Sequence, residues 1–174
     1  FDLDNTLIAG DSDHLWGDFM VTEGLVDPDK HKALNEHYYR QYQQGQLDID
    51  EYLSFALGPM AGMTPETLSA LQDKFLKKHV EPILLDAAFD LLQAHRVNGD
   101  TLIIITATNT LVTQPIADRL GVEHLIGCEA ELKDGRYTGK PEGVPSFGEG
   151  KVQRIKTWCT EHQILFEDAV FYLS

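Results

Sequence analysis

The chain has 174 residues, with 28 acidic and 14 basic side chains, so its formal net charge is −14. Nucleic acids and anionic membrane surfaces both require a basic face, so this charge argues against either partner. A small phosphorylated metabolite is compatible with it, because one local cation or metal ion can override a negative global field. No apolar run approaches the roughly 20 residues of a membrane span and no signal peptide is visible, which predicts a cytoplasmic protein.

Residues 1–7 (FDLDNTL) contain two carboxylates two positions apart, with a hydroxyl two positions further on. If this segment starts as the end of a β-strand, the strand's two-residue period directs Asp2 and Asp4 to the same side. Neighbouring acids repel each other, so a site that keeps both usually holds a cation or shares a proton. Turn-forming residues follow, which predicts that the acids lie at the strand's carboxyl end, where ligands bind in open α/β sheets. A polar turn with solvated acids is the alternative.

Residues 12–80 are predicted to be all helical. The first helix has Ser12 or Asp13 as its N-cap, the second spans about residues 29–44, and two more begin near residues 48 and 64. The second helix carries Leu34, Tyr38 and Tyr42 four residues apart on one face. We interpret this tyrosine-rich stretch as packing in the helical core or at its rim, with a binding surface as the alternative.

A buried strand is predicted after an amphipathic helix over about residues 84–97. Residues 101–106 (TLIIIT) form a continuous β-branched apolar run, typical of a central strand in a parallel sheet. A hydroxyl-rich turn through Asn109 then leads into a helix over about residues 111–120. Such a strand, turn and helix can make an anion pocket from amide N–H groups and a side-chain hydroxyl.

The C-terminal part begins with a predicted hairpin of residues 124–132 and 137–142, joined by an Asp-Gly turn. Lys151 then stands at a helix start, which is unfavourable against the helix dipole. This position indicates a lysine that meets an anion, or alternatively a solvated lysine. Residues 168–174 are predicted to be a last buried strand. Strands at both chain ends lead us to expect part of a longer protein.

The alternation of strands and helices predicts an α/β fold: a doubly wound, Rossmann-like parallel sheet with an inserted all-helical cap domain. The predicted core comprises residues 1–10 and 82–174, and the predicted cap residues 11–81. The three polar sites would then meet at one edge of the sheet. Neither Cys128 nor Cys159 has CxxC spacing, so both are expected to be reduced cysteines in or near the core.

Four segments in order, FDLDNTL, IIIT, EGK and ILFEDAVFYLS, resemble the motifs of the haloacid dehalogenase (HAD) superfamily. The helical insert after the first motif is similar to subclass IB, the phosphoserine-phosphatase-like enzymes. The resemblance implies a Mg²⁺-dependent phosphatase that hydrolyses a small phosphomonoester through an aspartyl-phosphate. The acids of the fourth motif, which complete the magnesium site, would follow Ser174.

The resemblance also implies a role for each matching residue. Asp2 would be the nucleophile, and Asp4 the general acid and then the general base, both contributing to the metal site. Lys151 would stabilise transition-state charge. An acid at position 4 is typical of the phosphatases of this superfamily and not of its dehalogenases. The implied contacts with the substrate and its phosphoryl group are Thr106, Thr6, Ala107, Thr108 and Asn109.

The sequence says less about the leaving group of the substrate than about its phosphoryl group. Asp11 stands where phosphoserine phosphatases have a glutamate that contacts the substrate amine, although a loop or capping acid is the alternative. Those enzymes bind the substrate carboxylate with a cap arginine, and residues 41–95 contain none. Phosphoserine is therefore disfavoured, and a phosphorylated amino alcohol such as histidinol phosphate fits better. The rival functions are a phosphotransferase or mutase of the same superfamily and a non-catalytic HAD-like binding domain, which the intact set of motif residues disfavours.

Overall fold

The structure, a computed structural model, describes residues 1–173. Its helices are α1 (Ser12–Thr22), α2 (Pro28–Gln43), α3 (Ile49–Leu57), α4 (Pro65–Phe75), α5 (Asp86–Asn98), α6 (Thr110–Leu120) and α7 (Glu149–Glu161). Its strands are β1 (Ile103–Asn109), β2 (His124–Lys133) and β3 (Arg136–Glu142). Short 3₁₀ turns lie at Gly58–Met60, Glu81–Ile83 and Phe166–Asp168, and a π-helical turn at Leu76–Val80. None of the helices described is long and apolar enough to span a membrane.

Side-chain caps set the starts of the first four helices. Asp27, Asp48 and Thr64 each accept a hydrogen bond from a main-chain N–H in the first turn that follows. The predicted cap of α1 was wrong. Asp11 caps this helix by accepting from the N–H of His14 at 2.9 Å, and both Ser12 and Asp13 already belong to its first turn.

The sheet combines a parallel and an antiparallel pair in the order β1-β2-β3. Strands β1 and β2 run parallel through the α6 connection, and β2 and β3 form the predicted hairpin. Its turn residues Asp134 and Gly135 both have positive φ, of 51° and 74°, as a two-residue hairpin turn requires. Strand β1 begins two residues later than predicted and extends to Asn109, so the predicted hydroxyl-rich turn is part of the strand.

The first residues lie beside β1 without forming a strand of regular length. The main chain of Phe1 donates to the carbonyl of Ile103 and accepts from the N–H of Ile105, each at 2.8 Å. On the other side, the N–H of Asp2 donates to the carbonyl of Tyr172 at 2.8 Å. Sheet-like pairing therefore holds Asp2 next to β1, as the strand prediction required.

The prediction of a buried strand over residues 168–174 was wrong for the described part, and Ser174 lies outside the described residues. Residues 169–173 have no regular secondary structure, and Val170, Phe171 and Leu173 are exposed. The apolar run indicated burial, but this segment meets the neighbouring main chain at the Tyr172 carbonyl alone. A single hydrogen bond does not establish a strand register.

Helices cover both faces of the sheet. On one face, Ile104 belongs to a large apolar cluster with Val112 and Ile116 of α6. On the other face, a smaller cluster joins the side chains Ile105, Ile126, Ile155 and Cys159. Both cysteines are buried free thiols, as expected, and burial raises the pKa of Cys128 to about 11.

The predicted helical cap region does not have a separate apolar core. Trp16 and Phe19 of α1 and Phe75 of α4 are fully buried in the same cluster as Ile104 of β1. Helices α1 and α4 also contact α6. The helical content of residues 12–80 agrees with the sequence, while the boundary between a core and a cap domain stays a prediction.

Helix α2 differs from the predicted packing. It contains no buried residue, and Leu34 and Tyr42 are exposed. The third residue of the predicted face, Tyr38, is partly buried and lies with its ring centroid 5.2 Å from that of Phe55 in α3. Tyr38 and Tyr42, four residues apart on this helix, therefore face a cavity rather than the core.

Candidate active site

A cavity of about 780 Å³ opens at the carboxyl end of β1, bounded by the sheet edge and by helices α1, α2, α3 and α7. One wall, the acidic-hydroxyl wall, consists of Asp2, Asp4, Thr106, Ala107, Thr108 and Lys151. A second set of lining residues, the tyrosine wall, consists of Asp11, Asp13, Glu36, Tyr39, Tyr42 and Tyr52. The carboxylates of Asp2 and Asp4, the hydroxyls of Thr106 and Thr108, and Lys151 therefore face one shared space.

The acidic-hydroxyl wall brings Asp2 and Lys151 together across 149 positions of the chain. Lys151 Nζ donates to Asp2 Oδ1 at 3.1 Å. The loop before α7 allows this approach because a Cβ on Gly150 would lie 2.3 Å from the carbonyl oxygen of Pro145, which only glycine avoids. The unfavourable lysine at the start of α7 is thus compensated by a carboxylate.

Asp4 is held by three donors and is largely shielded from water. Its Oδ1 accepts from the Ser12 N–H at 2.6 Å, and its Oδ2 accepts from the hydroxyls of Thr108 at 3.1 Å and Thr106 at 3.5 Å. Burial raises the pKa of Asp4 above its ordinary value, and the hydrogen bonds from Ser12 oppose that rise without cancelling it. Asp4 is therefore fixed in place and binds a proton more readily than a solvated aspartate.

The predicted phosphoryl-binding residues separate into two groups. Thr106, Ala107 and Thr108 line the cavity, and the Thr108 N–H donates to the Thr106 hydroxyl at 3.1 Å. Asn109 is buried and caps α6 by accepting from the N–H of Val112, and it does not line the cavity. The Thr6 hydroxyl is buried without a hydrogen-bond partner and also lies outside the cavity wall. Substrate-binding roles for these five residues stay predictions.

Ser146 is a cavity residue that the sequence did not indicate. It is fully buried, its N–H donates to the Cys128 sulfur at 3.2 Å, and its hydroxyl has no hydrogen-bond partner. A buried hydroxyl without a partner is costly, so it marks a place where a ligand oxygen can bind. Its position five residues before Lys151 is the only sequence signal, and it is weak.

The tyrosine wall carries carboxylates that the first motif does not supply. Asp11 lines the cavity while its side chain caps α1. Asp13 accepts a hydrogen bond from the Tyr52 hydroxyl, which links α1 to α3. Burial raises the pKa of Asp13 to about 7, and the nearby charges of Asp11 and Asp4 add to the rise. Asp11 therefore caps α1 and also lines the cavity, and its contact with a substrate amine stays a prediction.

Within residues 1–173, no group of three or more His, Cys, Asp or Glu side chains is placed to hold a metal ion. The predicted metal residues Asp2 and Asp4 provide two acids at one cavity wall. Oxygen ligands of this kind are those that Mg²⁺ prefers. These oxygen ligands therefore fit magnesium, and Asp2 and Asp4 would supply part of its ligands.

Comparison with known proteins identifies the family. The sequence model of the haloacid dehalogenase-like hydrolases matches residues 1–173, and the chain belongs to this family. The predicted superfamily and the α/β fold class are thereby confirmed. The phosphatase names of its relatives support the predicted class of phosphoric monoester hydrolases.

Two curated relatives differ in their similarity to the chain. A histidinol-phosphatase of Neisseria meningitidis is 41% identical over 162 residues, covering 92% of this chain and 73% of the relative. A probable phosphatase of Mycobacterium tuberculosis is 25% identical over 181 residues, covering 98% of this chain and 62% of the relative. The chain thus spans somewhat under two thirds to about three quarters of their lengths.

Two solved structures share the fold. A protein of unknown function from Bordetella pertussis Tohama I superposes with a TM-score of 0.87 at 40% identity, covering 97% of this chain and 76% of the other. A substrate-bound phosphoserine phosphatase superposes with a TM-score of 0.62 at 16% identity, covering 97% of this chain and 72% of the other. The second similarity concerns the fold alone.

Proposed function

We propose that this protein hydrolyses a small phosphomonoester through an aspartyl-phosphate on Asp2. The observation that carries the proposal is the contact of Lys151 with Asp2 at 3.1 Å, in a cavity that Asp4 and two threonine hydroxyls also line. An ammonium group beside the carboxylate offsets the repulsion between that carboxylate and a phosphoryl group. Membership of the haloacid dehalogenase-like hydrolases supports the same chemistry.

The reaction proceeds in two steps, transfer of the phosphoryl group to Asp2 and hydrolysis of the aspartyl-phosphate. First, an Asp2 carboxylate oxygen attacks phosphorus, the bond from phosphorus to the ester oxygen breaks, and Asp4 donates its proton to the departing alkoxide. Second, Asp4 takes a proton from water, the water oxygen attacks phosphorus, and the bond from phosphorus to Asp2 breaks. The products are the alcohol and inorganic phosphate, and Asp4 is protonated again.

The environment of Asp4 suits a group that alternates between acid and base. Burial raises its pKa, so the protonated form needed in the first step is more populated than for a solvated aspartate. The hydrogen bonds from Ser12 and Thr108 hold the carboxyl group in one orientation and stabilise its ionised form in the second step.

Magnesium is the proposed cofactor. The Asp2 carboxylate and the main-chain carbonyl of Asp4 would hold it, together with the acids of the family's fourth motif. The ion would supply positive charge that stabilises the phosphoryl oxygens in the transition state. Lys151, Thr106 and the amides near Ala107 then hold the phosphoryl group within the described chain.

A phosphorylated amino alcohol is the proposed substrate class. Asp11 lines the cavity and can meet a substrate amine, and residues 41–95 contain no arginine for a substrate carboxylate. The relative that is 41% identical over 162 residues is named a histidinol-phosphatase. Histidinol phosphate is therefore the first compound to test.

The test uses the full-length protein with Mg²⁺ and p-nitrophenyl phosphate or histidinol phosphate. We expect one inorganic phosphate released for each alcohol formed, and borohydride reduction during turnover should convert Asp2 alone to homoserine, as measured by peptide mass spectrometry. Alcohol released without inorganic phosphate would instead indicate a phosphotransferase. Absence of both turnover and trapping would support the non-catalytic binding domain.

A further inference from the structure

Helix α2 contains no buried residue, whereas each other α-helix of the described chain buries at least two. The positions of α2 that line the cavity are Asn35, Glu36, Tyr38, Tyr39 and Tyr42. Their spacing of three, four and seven residues places them on one face of the helix. Core packing thus does not explain the aromatic face of α2, and its contact with the cavity does.

The charges on the tyrosine wall are negative and lack cationic partners among the described residues. Neither Asp11 nor Glu36 lies within ion-pair distance of a lysine, arginine or histidine side chain in residues 1–173. The two basic residues at the cavity have other partners: Lys151 contacts Asp2, and His14 lies 3.6 Å from Asp18. A ligand carboxylate placed here would meet only like charge.

The tyrosine side chains of this wall are open to a ligand. Tyr39 and Tyr42 are 60% and 58% exposed, and the Tyr42 ring centroid lies 6.4 Å from that of Phe147, which also lines the cavity. The face of a tyrosine ring attracts a cation placed within about 6 Å. The buried, unpartnered hydroxyl of Ser146 lines the same space, an independent sign that this cavity accommodates a polar ligand.

We propose that the face of α2 formed by Glu36, Tyr39 and Tyr42 recognises the alcohol part of the substrate, and that this part carries a positively charged nitrogen. Glu36 supplies the opposite charge, and the two rings supply cation–π contacts. This inference rests on the proposed function, because it places the phosphoryl group of the same molecule in contact with Asp2 and Lys151.

The experiment measures binding, so that it does not depend on turnover. The full-length protein with Mg²⁺ is titrated calorimetrically with 3-aminopropylphosphonate and with propylphosphonate, which differ only in the amine. We expect the wild type to bind the amino compound at least about threefold more tightly, the size of one partly exposed ion pair. Glu36→Gln and Tyr42→Leu should lower this preference without changing the Kd for propylphosphonate. Asp29→Asn, an exposed acid of α2 that does not line the cavity, is the matched control and should retain the preference.

Equal affinity of the wild type for the two phosphonates, or failure to bind either, would overturn the proposal. A preference that persists in both Glu36→Gln and Tyr42→Leu would overturn the assignment to α2. Because α2 buries no side chain, neither change is expected to unfold the protein, and thermal unfolding checks this. A retained preference together with no hydrolysis of any ester would contradict the proposed function while leaving this recognition intact.

Discussion

The two walls of the cavity differ in how firmly their side chains are held. On the acidic-hydroxyl wall, Asp2 and Asp4 are fixed by Lys151, by a main-chain N–H and by threonine hydroxyls. On the tyrosine wall, α2 presents the exposed rings of Tyr39 and Tyr42, and the carboxylate of Glu36 forms no ion pair within residues 1–173. Catalysis requires side chains that are held in one geometry before the substrate binds, whereas recognition of a leaving group tolerates variation in side-chain position. We therefore expect substitutions on the first wall to affect turnover and those on the second to affect affinity.

The strongest test of this difference is Asp2→Asn. It removes the nucleophile, so kcat for p-nitrophenyl phosphate with Mg²⁺ should fall by at least about 10³-fold. Steady-state assays of the full-length protein measure the effect, with Asp90→Asn, an exposed acid of α5, as the control. Activity near that of the wild type would reject Asp2 as the nucleophile.

Lys151→Met should be the next largest change. The methionine retains the length of the side chain but removes the charge beside Asp2, so kcat should fall by roughly 10²- to 10³-fold, as for loss of one transition-state donor. Lys156→Met, further along α7, should leave kcat unchanged. A fall in affinity with an unchanged kcat would show that Lys151 binds the substrate without stabilising the transition state.

A pair of stability variants compares the buried helices with α2. Phe75→Ala removes a ring packed 5.0 Å from that of Trp16 and should lower the free energy of unfolding by about 3–5 kcal/mol. Tyr42→Ala removes an exposed ring and should change it by less than about 0.5 kcal/mol. Chemical denaturation measures both. A comparable loss in Tyr42→Ala would mean that α2 packs more tightly than its exposure indicates.

A separate test of the tyrosine wall is a pH dependence from Asp13. Its folded pKa of about 7 lies above the ordinary value of 3.8, so the folded state binds this proton more tightly than the unfolded chain. Its contribution to stability is thus present below about pH 4 and declines as the pH rises to about 7. Asp13→Asn removes this decline and can still accept from Tyr52, so its stability relative to wild type should rise between pH 4 and 8, by up to about 4 kcal/mol for a pKa raised from 3.8 to about 7. Thermal unfolding across this range would contradict the prediction if the difference stayed constant.

Local patterns were sufficient for most of the fold. The buried run of β1, the Asp-Gly hairpin turn and the capped helices all follow from short-range rules of burial, turn conformation and hydrogen bonding, and the structure contains each of them. Local reasoning failed at residues 169–173, where an apolar run makes one hydrogen bond to the neighbouring main chain and leaves Val170, Phe171 and Leu173 exposed. It also failed at α2, because a periodic aromatic face does not reveal whether it meets a core or a cavity.

The sequence by itself determined the family, the alternation of strands and helices, and the identity of the charged residues in its motifs. Only the tertiary structure decided which of them meet. Lys151 reaches Asp2 because the glycine at position 150 permits a tight loop, Asn109 turns away to cap α6, and Ser146 and the tyrosines of α2 join the same cavity. The reason is that a contact between residues far apart in the chain depends on how packed elements are placed, which no short window of sequence contains.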